Sequence, residues 1–175
     1  MTVIMNKPAL ADELYEVAVE INHDPWLVWY DFEEWQKELQ KIVVGTLSHV
    51  HWQHTSEVSI LLTDEHYSRQ LNHTYRGQDK PTNVLSFPAF TPEELSLLAK
   101  QQPSIILGDI VLSLETVLQE AKDQQKKFLN HLMHLIIHGT LHLLGYDHKI
   151  DSQAEKMEAL EVDILSRLGV ANPYQ

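Results

Sequence analysis

Between Phe128 and Leu144 a run of mainly apolar residues is interrupted by four histidines, His131, His134, His138 and His142. The run falls short of the ~20 apolar residues that a membrane span needs, so it predicts a buried helix around which the rest of the chain packs. At helical pitch the four imidazoles fall on roughly one face of that helix. Burying several imidazoles without partners is costly, so this face must be supplied with hydrogen bonds or with a cation.

The run continues into HGTLHLLGYDH, from His138 to His148. His138 and His142 are four residues apart, so their rings project from one face a turn apart and can share one ion. Gly145 can end the helix in a left-handed conformation and bring His148 back toward the pair. Three neutral imidazoles leave a tetrahedral Zn²⁺ with one open position, which is the arrangement of a catalytic rather than a structural site. Zinc lowers the pKa of its water to about 7 and polarises carbonyl or phosphoryl oxygens, which makes hydrolysis the natural reaction class. Singly, each histidine reads as a satisfied core residue; three at this spacing around a glycine turn reverse that reading. His131 and His134 read better as satisfied core or surface histidines than as substrate contacts. His49, His51 and His54 lack a spacing that fixes a shared face. Asp147 is the nearest carboxylate in sequence, suited either to orienting a histidine through its second ring nitrogen or to turn geometry.

The ligand spacing also matches HExxHxxGxxH metalloproteases. There a Glu follows the first His as general base, whereas here Gly139 has no side chain to move a proton. The peptidase reading loses its central residue.

The absence of cysteine leaves imidazole and carboxylate as the strong side-chain ligands and excludes a disulfide framework, in keeping with a cytoplasmic location. Met1 to Leu14 carries no basic stretch followed by a long apolar run, so no secretion signal is read. The formal charge of −12 argues against a general nucleic-acid coat protein, because such affinity comes mainly from Lys and Arg. A local basic cleft remains compatible with it, with Arg69, Arg76, Lys80, Lys122, Lys126 and Lys127 as candidates.

A length of 175 residues fits a single domain, 1–175, with its own core. Leu14, Glu16, Ala18 and Glu20 alternate with Tyr15, Val17, Val19 and Ile21, giving one largely apolar face and predicting a half-buried first strand. Asp31 caps a helix carrying Trp35, Leu39, Ile42, Val43 and Leu47 at helical spacing. Three of the four Trp residues cluster there and read as packing. Val58 to Leu62, Asn83 to Phe87 and Ile105 to Leu112 read as further strands. Helical patterns follow Asp64 as far as Tyr75, with Gly77 as the stop, and cover Glu93 to Lys100, Ser113 to Gln124, Lys126 to Leu144 and Asp151 to Leu168. The expected fold is α+β, a small four-stranded sheet covered by about five or six helices, with the zinc site at the end of a central helix.

HGTLHLLGYDH resembles the signature of the YbeY family, zinc-dependent endoribonucleases of ribosomal RNA maturation and ribosome quality control. LNHTYRGQDKPTNVLSFP, from Leu71 to Pro88, and LGDIVLS, from Leu107 to Ser113, resemble two further blocks of that family, in its order. The resemblance implies that His138, His142 and His148 bind one zinc ion and that Arg76 contributes to RNA cleavage. A guanidinium there suits bidentate capture of a phosphate and of the charge that develops on it. Asn83 stands where many members carry Asp, so no acid is supplied at that position. Ser86 and Asp109 are candidates for lining the cleft. A metal-activated water and the ribose 2′-hydroxyl both fit as attacking group. Implied partners are single-stranded RNA and ribosomal RNA, with ribosomal or ribosome-associated proteins facing the acidic surface, and no membrane. The rival readings are a zinc metallopeptidase and a noncatalytic ribosome assembly factor with a structural zinc.

Overall fold

The computed structural model describes residues 14–175. The reading of Met1 to Leu14 as lacking a signal lies, Leu14 apart, outside the described residues. Strand β1, Tyr15–Ile21, begins the described sheet, and a 3₁₀ turn, Asp24–Val28, follows it. Helix α1, Phe32–His49, starts at Asp31, whose side chain accepts from the Glu34 amide while the Glu34 carboxylate accepts from the Asp31 amide. This reciprocal box satisfies two backbone donors that an α-helix otherwise leaves bare. Strand β2, Thr55–Thr63, leads to helix α2, Glu65–Arg76, capped by Asp64 and stopped by Gly77 at φ +68°. Strand β3, Val84–Pro88, helix α3, Pro92–Gln101, and strand β4, Ser104–Ser113, come next. Helices α4, Leu114–Asp123, α5, Phe128–Leu143, and α6, Asp151–Arg167, complete the order.

Four strands and six α-helices among the described residues match the expected α+β architecture. The strand order, β1-β2-β4-β3, is not readable from alternation alone. β1, β2 and β4 run parallel, while β3 is an antiparallel edge on β4. Parallel neighbours need crossover segments, and the helices between these strands supply them. Helices α1 and α5 pack on the sheet, and α4 and α6 pack on α5. Tyr15, Val17, Val58, Ile60, Leu62, Ile110 and Leu112 face this core with Leu39, Ile136, Ile137 and Leu141.

Trp26 and Trp35 are buried edge to face, with ring centroids 5.5 Å apart. Their indole N–H groups donate to the carbonyls of Thr63 and Trp26 at 2.9 and 3.0 Å. Packing is therefore their role, as the sequence predicts. Trp29 is half exposed and lies over Phe128, at the first residue of α5.

Candidate metal centre

His138 and His142 lie in the last turns of α5, one turn apart. The helix then stops in a left-handed turn: Gly145 has φ +90°, its amide donates to the His142 carbonyl at 2.9 Å, and the Tyr146 amide donates to Leu141 at 3.1 Å. These paired bonds satisfy the terminal carbonyls of the helix and reverse the chain. Glycine is required twice over at this turn, because a Cβ on Gly145 would also stand 2.6 Å from Cγ of Pro92. The reversal returns His148 to the pair. Ring centroids are 4.5 Å apart for His138 and His142, 5.4 Å for His138 and His148, and 5.0 Å for His142 and His148.

One ring nitrogen from each of the three lies within 4.8 Å of the other two, and this is the one such group among the described residues. His138 Nδ1 faces Glu161 Oε1 at 2.7 Å, and His142 Nδ1 faces the Tyr146 carbonyl at 2.8 Å. Both acceptors assign the ring proton to Nδ1, which leaves the two Nε2 lone pairs facing one another at 3.0 Å. Two lone pairs at that distance repel unless a cation or a proton lies between them. Ligands at ~2.0–2.1 Å on a tetrahedral zinc would stand about 3.3 Å apart, close to what is seen. The trio fits a metal ion. Burial, with the charge of His138 next, pushes the His142 pKa down to about 4, so this ring is held as the neutral imidazole that metals require. His148 is exposed, so the group opens to solvent on that side.

Glu161, in α6, is the residue that sequence reasoning misses. Its carboxylate is 1% exposed, with Oε1 on His138 and Oε2 on His134 Nε2 at 2.8 Å and on the Tyr174 hydroxyl. Burial acts to raise its pKa, but the bonds from His134, His138 and Tyr174 outweigh this and hold it at about 2. The only signal in the sequence is an acidic residue at a buried position of an amphipathic helix. Asp147, the nearest carboxylate in sequence, orients no histidine ring. Its Oδ1 accepts from the His148 amide at 2.8 Å and its Oδ2 pairs with Lys149 at 2.9 Å, which is turn geometry.

His131 and His134 each set Nε2 against a carboxylate, while Nδ1 of both rings is buried without a partner among the described residues. His131 bonds Glu120 at 2.8 Å, and Glu120 also accepts from Asn83 at 2.8 Å. Asn83 thus serves as a donor where an acid would be repelled. His49 pairs with Asp163 at 3.1 Å and joins no metal-like group with His51 and His54.

Arg76 is exposed at the end of α2 and forms no ion pair with any described residue, whereas Arg69 is held by Asp79 at 2.7 Å. The structure brings the three histidines together and places Arg76 outside hydrogen-bonding contact with them. Ser86 and Asp109 separate. Ser86 packs beneath α5 at Gly139, while Asp109 faces the other side of the sheet, in a concavity with Tyr67, Leu71 and Tyr75.

The description of the family Endoribonuclease YbeY matches residues 20–169 of this chain. Proteins named Endoribonuclease YbeY from Acinetobacter baumannii are 50% identical over 139 residues, covering 79% of this chain and 86% of theirs. One from Acinetobacter baylyi is 50% identical over 138 residues, covering 78% and 85%. The solution structure of TM1509 from Thermotoga maritima aligns with a TM-score of 0.50 at 24% identity, covering 89% of this chain and 91% of that one, and so shares the fold.

Proposed function

The chain belongs to the Endoribonuclease YbeY family, and on that premise we propose that it is a zinc-dependent endoribonuclease that cuts single-stranded RNA in small-subunit ribosomal RNA maturation and ribosome quality control. It is a hydrolase, acting as one domain across residues 1–175. His138, His142 and His148 hold one zinc ion per chain. The observation that carries this reading is the convergence of three ring nitrogens within 4.8 Å, on rings whose other nitrogens are already committed in two cases.

When bound, zinc supplies Lewis acidity toward phosphate oxygens and toward water. The chain supplies the rest. The Tyr146 carbonyl fixes the ring of His142, so less reorganisation is left for the reaction itself. His148 keeps the solvent side open for an extended strand. Arg76, free of an internal partner among the described residues, takes a phosphate by a bidentate guanidinium contact and stabilises charge on its nonbridging oxygens. Gly139 offers no carboxylate to deprotonate a nucleophile, which disfavours peptide hydrolysis. The acidic surface, −12 overall, suits basic ribosomal or ribosome-associated proteins, and RNA is met locally. A cytoplasmic location follows from a ribosomal substrate. No helix among the described residues is long and apolar enough to cross a membrane.

The test is purified chain with measured zinc content, offered single-stranded RNA. Cleavage that requires zinc and disappears in His142→Ala supports the reading. Cleavage unchanged in His142→Ala overturns it.

A further inference from the structure

We infer that Glu161, held by His134 and Tyr174, is a positioning residue that sets the affinity of the histidine site for its metal by fixing the ring of His138. The inference rests on the zinc reading above and adds to it a residue from outside the histidine motif.

Glu161 Oε1 accepts from His138 Nδ1 at 2.7 Å. Its Oε2 accepts from His134 Nε2 at 2.8 Å and from the Tyr174 hydroxyl, which itself stands 3.3 Å from that same His134 nitrogen. All three partners donate, so the carboxylate is pinned at both oxygens and cannot rotate without losing bonds. With its Nδ1 proton committed to Oε1, His138 turns the Nε2 lone pair toward His142. A carboxylate on the far nitrogen also makes an imidazole a stronger electron donor to a cation.

Stability alone gives a poor account of this residue. Glu161 is 1% exposed on the side of α6 that carries the buried Met157, Ile164 and Leu165. An ion in such a place loses several kcal/mol of hydration, and well-packed apolar replacements for buried ionic groups are often neutral or stabilising. His134 and His138 each present one ring nitrogen to the carboxylate, and among the described residues no lysine or arginine pairs with its charge. A divalent cation beyond His138 balances it. His142 and His148 have no carboxylate in this position: His142 rests on a peptide carbonyl, and His148 is exposed. The three ligands are therefore unequal, and His138 is the one whose orientation depends on a second helix and on the segment after it.

The experiment measures zinc affinity by chelator competition, with histidine-selective ¹⁵N spectra of the metal-stripped chain as second readout, on the parent, Glu161→Gln and Tyr174→Phe. Gln presents one acceptor and one donor where three donors converge, so Glu161→Gln is expected to weaken zinc binding about 10–100-fold and to mix the ring tautomers of His138 while those of His142 stay put. Tyr174→Phe, which removes one hydroxyl, is expected to weaken zinc by roughly threefold or more. Affinity of Glu161→Gln within twofold of the parent overturns the inference, as does a change at His142 equal to that at His138, which would mark general loosening. If Glu161→Gln does not fold, Tyr174→Phe decides, and unchanged affinity there overturns the inference. A parent that binds no zinc overturns the underlying metal reading and is seen before any variant is compared.

Discussion

Ser86 Oγ lies 3.1 Å from the point that a Cβ on Gly139 would occupy, with Cγ2 of Ile110 at the same distance. Helix α5 is therefore packed tightly against β3 and β4 at the residue following the first histidine of the motif. A peptidase of similar spacing needs a glutamate there, and this fold has no room for one. Gly139→Glu is expected to destabilise the chain by more than about 3 kcal/mol, through overpacking and burial of a charge, and to create no peptidase. Urea midpoints and a peptide substrate check both parts; a stable variant that cleaves peptide would sink the argument.

The two arginines of α2 differ in their partners, and the proposed role of Arg76 in RNA cleavage can be tested against Arg69. Arg69 is committed to Asp79 in an exposed pair that contributes little to stability, while Arg76 has no ion-pair partner among the described residues. Arg76→Ala is expected to slow RNA cleavage by about 10²–10³-fold with zinc content unchanged, whereas Arg69→Ala leaves cleavage near the parent rate. Equal losses in the two variants would remove the special role of Arg76.

The depressed pKa of His142 has a consequence for the metal-stripped chain. In the unfolded state this ring takes up a proton near pH 6.5, but in the fold only near pH 4, so the unfolded state binds more protons between those values. Stability is then complete above about pH 6.5 and is lost as the pH falls toward about 4. Because the ring is only partly buried, the loss should be on the order of 1–2 kcal/mol rather than the full linkage value. Urea titrations of parent and His142→Asn across this range are the check. A parent profile no steeper than that of the variant would contradict it.

Gly145→Ala should couple stability to metal binding. The φ of +90° strains any side chain there, and a Cβ would press on Pro92 at the start of α3. An expected cost of about 1–3 kcal/mol would come with weaker zinc binding, because the same turn sets the Tyr146 carbonyl behind His142 and the return of His148. Calorimetry and chelator competition should move together. Loss of stability with zinc affinity intact would show that the turn and the site are independent.

Local signals in the sequence were sufficient for the helices, the caps at Asp31 and Asp64, and the glycine stops at Gly77 and Gly145, because each depends on residues within a few positions of one another. The histidine trio was legible for the same reason, spanning only the end of one helix and its turn. Strand order was not, since alternation specifies a buried face and not a neighbour. Glu161 escaped because it lies 23 residues from His138 and meets it only once α6 docks on α5. Asp147 shows the same limit in reverse: next to His148 in the chain, it turns toward a backbone amide and Lys149. Arg76 drew notice through resemblance to a family motif, since nothing in its local pattern distinguishes it from Arg69.

The order in which the site is synthesised follows from where its parts lie. All three histidines have been made by residue 148, but the carboxylate that faces His138 comes at residue 161, and the hydroxyl that braces it at residue 174. A nascent chain thus displays its ligands well before it can lock the first of them. Under the zinc reading proposed above, a product ending between residues 148 and 161 would carry the whole histidine motif and lack the carboxylate that faces His138.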